Sequence, residues 1–150
     1  MKDVRNELFA YCQSQLKLKV EELQKAIASQ REAMEGETKS SAGDKYETGT
    51  AMAHLEIEKL GGRLNQVKND LIKLTSFSNT SKSNTIKAGS LVKTERNLFW
   101  ISISMGEVKL EGNRFFVISP LSPIAQAFLG KEVGFEFTFN KTKDRILEVL

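Results

Sequence analysis

The sequence predicts an α+β protein: an N-terminal antiparallel helical hairpin of the coiled-coil type, a short linker, and a small β-sheet domain with one helix. Three observations predict it. Residues 1–76 contain no proline and repeat apolar side chains every three or four positions. Residues 86–150 are richer in Phe, Val, Ile and Gly, and there apolar residues alternate with polar ones. Between them, residues 77–85 (FSNTSKSNT) are polar and rich in Ser and Asn, as linkers are.

Each half follows from its own periodicity. Leu8, Cys12, Leu16, Val20, Leu23, Ile27 and Met34 fall on one stripe of a first helix. Ala53, Ile57, Leu60, Leu64, Val67, Leu71 and Leu74 do the same on a second, in the three-four rhythm of a heptad seam. Each stripe is narrow and the remaining faces are charged or polar, so each helix suits a single partner rather than a broad core. The segment EGETKSSAGDKYETG (residues 35–49) has three glycines and several Ser and Thr, and is expected to turn the chain, with residues 36–46 at or near the turn. Helices of about 30 residues at roughly 1.5 Å per residue would form a rod about 45 Å long.

In the second half, strands are expected at Ser90–Lys93, Leu98–Ser104, Arg114–Ile118, Val133–Phe139 and Arg145–Leu150. Phe135, Phe137 and Phe139 alternate with Gly134, Glu136 and Thr138, as one buried face requires. Ser122–Leu129 reads as a helix, with Ser122 placed to cap, Pro123 in the first turn and Gly130 at the end.

Composition narrows the functional classes. One cysteine, Cys12, excludes an internal disulfide, and with one histidine, His54, a cysteine–histidine zinc site is not supported. A net charge of +3 from 22 basic and 19 acidic residues gives no independent argument for nucleic acid. No apolar run reaches the roughly 18 residues of a membrane helix, and the first residues lack a signal peptide's apolar core. The expectation is a cytoplasmic protein that does not engage a membrane.

The residues most open to a chemical role are Asp44 and Glu47, three apart just before the second helix. Asp at the N-cap with Glu three residues later resembles a capping box, and acidic groups there also favour the helix dipole. The other reading is a carboxylate pair that shares a hard cation such as Mg with a second macromolecule. The two roles are compatible, since a carboxylate has two oxygens. Tyr46, between the acids, is able to stack on a base or ribose, and Arg31, Lys39 and Lys45 make the region locally basic. His54 is expected to be exposed or packed in the hairpin, Cys12 to be a small seam residue, and Trp100 to be sheet core.

These segments resemble the GreA/GreB transcript cleavage (transcription elongation) factors over nearly the whole chain. Gly43-Asp44-Lys45-Tyr46-Glu47 is similar to that family's Gly-Asp-Leu-Ser-Glu-Asn tip, and Gly62-Arg63-Leu64 falls, without a gap, where the family has Gly-Arg-Ile. Ala88-Gly89-Ser90-Leu91-Val92 resembles its first C-terminal strand. The stretch from Ile118 through Ser119-Pro120 and Leu129-Gly130-Lys131 to Gly134 resembles its most recognisable segment. Departures fall at Lys45-Tyr46, Thr48, Thr50-Ala51 and Phe135.

The resemblance implies an FKBP-like C-terminal domain that docks at the secondary channel of bacterial RNA polymerase, with the hairpin reaching the active centre. It implies transcription, elongation-factor and DNA-binding roles, with nascent RNA near the tip. The protein would be no enzyme itself. It would act as a monomer with no cofactor of its own, Asp44 and Glu47 working as catalytic and metal-holding groups on an Mg shared with the polymerase. The alternatives are a channel-binding regulator without cleavage activity, and a coiled-coil adaptor or isomerase-like protein.

Overall fold

The computed structural model describes residues 2–38, 43–78 and 82–150, and gives no side-chain description for residues 2–3, 37–38 and 43–47. Two long helices, α1 (Lys2–Thr38) and α2 (Gly43–Ser76), precede strands β1 (Leu91–Thr94), β2 (Leu98–Ile101), β3 (Gly106–Leu110) and β4 (Asn113–Ile118). A short helix α3 (Pro123–Phe128) and strands β5 (Glu136–Phe139) and β6 (Thr142–Val149) complete the chain. Helical hairpin and sheet-with-helix together make the α+β class expected from the sequence. No described helix is long and apolar enough to cross a membrane.

The chain divides into two compact units. One is Ser14–Leu71; the other joins Met1–Gln13 to Ile72–Leu150. The first turns of α1 and the last turn of α2 therefore belong with the sheet, and residues 77–85 lie inside that unit. Among the described residues of 77–85 there is neither helix nor strand.

In the hairpin unit the seam is as the spacing requires. Leu16, Leu23, Ala53 and Leu60 are buried, while Val20, Ile27, Met34, Ile57, Leu64, Val67 and Leu71 are half-buried. The helices run further than expected: 37 and 34 residues give about 50–55 Å each at roughly 1.5 Å per residue. Residues 35–38 and 43–49, expected to lie between the helices, are helical, which leaves only 39–42 between them. The expectation overweighted Gly36 and Gly43. A glycine costs a helix about 1 kcal/mol relative to alanine, while each added residue brings a hydrogen bond, and no proline stops the run.

The sheet unit is built on six strands in the order β3-β4-β2-β1-β6-β5. All neighbours are antiparallel except β2 and β4, which run parallel with Leu98 opposite Phe115 and Trp100 opposite Val117. One face carries Val92, Phe99, Ile101 and Ile146, packed in a core with Phe128 of α3, Phe137 and Val149. Phe135, Phe137 and Phe139 all pack there, as their alternation predicted. By strand alternation the opposite face carries Leu91, Trp100, Phe115 and Val117, none more than 1% exposed. The helix ends in this unit bring Leu8, Cys12 and Leu74, each 0% exposed. Arg5 ties α1 to the sheet: its Nη1 donates to Gly89 O at 2.7 Å and its Nη2 to Leu150 O at 2.6 Å.

The strands depart from the expectation at four main places, the first being that β6 begins at Thr142 rather than Arg145. β3 was not expected, because Glu107 and Lys109 weaken its strand signal; it is an edge strand that buries only Val108. β5 starts at Glu136 rather than Val133, since Gly134 sits at φ +93 and Phe135 N–H closes a turn onto Glu132 O. β2 ends at Ile101 rather than Ser104, leaving a loop that feeds β3.

Candidate functional site

Asp44 and Glu47 are the second and fifth residues of α2, about one helical turn apart and close after residues 39–42. Because α2 already begins at Gly43, Asp44 lies inside the helix and not at its N-cap, so the expected capping-box placement does not hold. The metal role of the two side chains and the stacking role of Tyr46 fall outside the described residues, as do Lys39 and Lys45. As a donor set, two carboxylates fit a hard cation that keeps most of its waters and takes its other ligands elsewhere. Near them, Arg31 and His54 are exposed. Cys12 and Trp100 are buried, as read. Burial pushes the Cys12 thiol up to about 11, so it is a packing group and not a nucleophile.

The segment Ile118–Gly134 is held by its own polar groups. Ser122 Oγ donates to Ser119 O at 2.7 Å and accepts from Ala125 N–H at 3.3 Å, which caps α3 as its position predicted. Gln126 Nε2 donates to Pro120 O at 2.7 Å and Leu121 N–H to Ser119 Oγ at 3.1 Å. Gly130, at φ +79, ends the helix, and its N–H donates to Ile86 O. Serines, prolines and glycines of this segment thus have local folding roles. Leu121, 84% exposed, and Val133, 59% exposed, have none and are the apolar groups the segment offers outward.

Sequence reasoning missed a second polar cluster. Asp144, 7% exposed in β6, accepts from Thr94 Oγ1 at 2.7 Å and from Arg145 N–H at 2.8 Å. Thr94 Oγ1 in turn accepts from Asn97 N–H at 2.9 Å, and Arg96 Nε donates to Lys143 O at 2.9 Å. These bonds fix the turn between β1 and β2 onto β6. Because β2 and β4 are parallel, the turn preceding each lies at the same end of the sheet. There the two turns enclose a cleft of about 320 Å³ whose lining includes Lys93, Arg96, Asn97, Asn113 and Arg114. The only advance signal was that cationic residues flank both hairpin turns.

Between α3 and β5, Ile124, Phe137, Phe139 and Asp144 line a cleft of about 70 Å³. Ligand pockets commonly run from about 300 to 1,000 Å³, so these aromatics serve the core. On the exposed surface, Arg145 bonds Glu136; that hydrogen bond and the arginine's charge hold the Glu136 carboxyl below its usual range. Among the described residues, no group of three or more His, Cys, Asp or Glu side chains is placed to hold a metal. No protein-family profile matches the chain, and no curated protein matches it.

Proposed function

We propose that this chain binds a bacterial RNA polymerase at its secondary channel and stimulates cleavage of the nascent RNA in backtracked elongation complexes. The observation that carries the reading is the position of Asp44 and Glu47. They fall near the start of a 34-residue helix, beside the link of a two-helix hairpin whose buried seam residues form a single narrow stripe. A thin rod with carboxylates at its turn suits delivery of negative charge into a channel too narrow for a globular domain. The order of the parts and the Ile118–Gly134 segment support the same reading through the resemblance to GreA/GreB factors.

On this reading the sheet unit docks at the channel rim and the hairpin reaches inward. The chain is not an enzyme by itself, since two carboxylates on a wet tip lack fixed, dry surroundings. Asp44 and Glu47 supply hard oxygens and two negative charges to an Mg shared with the polymerase. When bound, such an ion stabilises the attacking and leaving oxygens of an in-line displacement. Arg31, exposed on α1, offers positive charge to the nascent RNA near the tip. The chain works as a cytoplasmic monomer.

A channel regulator that does not cleave is the second reading, favoured by Lys45-Tyr46 between the acids and Thr48 after them, where the family has other residues. One experiment separates the two. The protein is added to stalled, backtracked complexes and RNA length is followed, with affinity measured in parallel. Cleavage by the wild type, lost in Asp44→Asn with Glu47→Gln while affinity persists, supports the cleavage reading; both changes keep the side-chain size and remove only charge, so the fold loses little. Altered transcription without any cleavage supports the regulator. A protein that ignores polymerase overturns both.

A further inference from the structure

We propose that the cleft between the β1–β2 and β3–β4 turns is a binding site for an aspartate- or glutamate-rich segment of a protein partner. This stands independently of the hairpin's role. The cleft is lined by three cations, Lys93, Arg96 and Arg114, and by the amide side chains of Asn97 and Asn113. Its two guanidinium groups are already oriented. Arg96 is held by its Nε–H bond to Lys143 O, which leaves its two terminal NH2 groups as further donors. Arg114 lies over the Phe116 ring, 5.2 Å from its centroid. A planar fork fixed before binding loses less freedom when it takes a carboxylate. The asparagine amides add neutral donors, so the site is able to hold a carboxylate by direct hydrogen bonds as well as by charge.

Oxyanions occur on nucleic acids too, and the surroundings decide between them. Glu95 lines the same cleft, and Glu107 lies 4.0 Å from Arg114. Fixed carboxylates repel a phosphate backbone, whose charge recurs at every nucleotide, more than a peptide segment able to place one or two carboxylates on the cations and neutral backbone beside Glu95 and Glu107. The lining has no aromatic ring on which a base would stack. A volume of about 320 Å³ accommodates one or two acidic side chains with their backbone.

The test uses the full chain, isotope-labelled, titrated with a short aspartate-rich peptide, its asparagine counterpart and a single-stranded RNA of equal charge. The aspartate peptide is expected to bind and to shift the amide resonances of residues 93–97 and 112–114, and the asparagine peptide to do neither. Arg96→Gln with Arg114→Gln should weaken binding about tenfold, the sum of two exposed charge pairs. Lys93→Gln with Arg114→Gln keeps the Arg96 bond to Lys143 and should weaken it similarly, which guards against a fold effect. Lys59→Gln with Lys68→Gln removes the same charge from the hairpin and should change nothing. The proposal is overturned if the peptide does not bind, if the shifts fall elsewhere, if the hairpin variant weakens binding equally, or if RNA binds the cleft more tightly than the peptide.

Discussion

The two units solve the burial problem differently. In the sheet unit both faces of the strands are covered, and Trp100, Ile101, Val117, Ile146, Leu8 and Leu74 are each 0% exposed. In the hairpin unit no described residue of the seam is less than 6% exposed, and Leu18, Met52 and Leu55 stand more than half open. Two helices in contact along one line have a seam and no interior, so the rod draws its stability from many partial burials and helix propensity. The sheet unit draws it from a few large side chains that no other residue is able to replace. Substitutions should therefore act locally and mildly in one unit and severely in the other.

The strongest test of that contrast is Trp100→Ala, expected to cost about 3–5 kcal/mol, against about 2 kcal/mol for Leu23→Ala in the seam, with urea denaturation as the measure. Equal costs would break the comparison. Cys12 sharpens it through pH. Its folded-state pKa is about 11 against an ordinary 9.0, so the contribution is complete below pH 9 and is lost as pH rises through 11. Roughly 2–3 kcal/mol should disappear over that window, and Cys12→Ala should remove that part of the pH dependence.

Asp144→Ala is next, at about 2 kcal/mol, because it leaves Thr94 Oγ1 without its buried acceptor and loosens the β1–β2 turn. Hydrogen exchange at Arg96 and Asn97 should rise, and unchanged exchange there would argue that the turn holds by other means. The smallest effect has the opposite sign. Gly61 and Gly62 lie within α2, and an added Cβ at either meets nothing within 4 Å. Gly61→Ala and Gly62→Ala should each raise thermal stability by about 0.5–1 kcal/mol. Destabilisation at either would mean that the rod depends on glycine there for a reason beyond its own packing.

The same contrast explains what was legible in the sequence. The seam could be read in full because each residue from Leu8 to Leu74 acts through local spacing, and Phe137 and Trp100 were legible as core for the same reason. What escaped the reading depends on residues far apart. Asp144 looks like a strand breaker until Thr94, fifty positions away, supplies its partner. Val108 alone could not announce β3 between Glu107 and Lys109. The cleft exists because β2 and β4 are parallel, and topology of that kind leaves no mark on either strand. Asp44 and Glu47 were legible as an acidic pair at a helix start, and spacing alone does not distinguish a cap from a ligand.

The bonds from Arg5 to Gly89 and Leu150 carry a consequence for synthesis. The hairpin unit is one uninterrupted stretch, Ser14–Leu71, whose contacts are able to form as soon as that stretch leaves the ribosome. The other unit closes Arg5 of α1 onto Leu150, 145 positions further along the chain. Its first thirteen residues must wait, with Leu8 and Cys12 uncovered, while more than a hundred others are added. Long-range closure is slow and leaves apolar surface open in the interval. The hairpin unit is thus able to mature before the sheet unit, which waits on contacts between residues far apart in the chain.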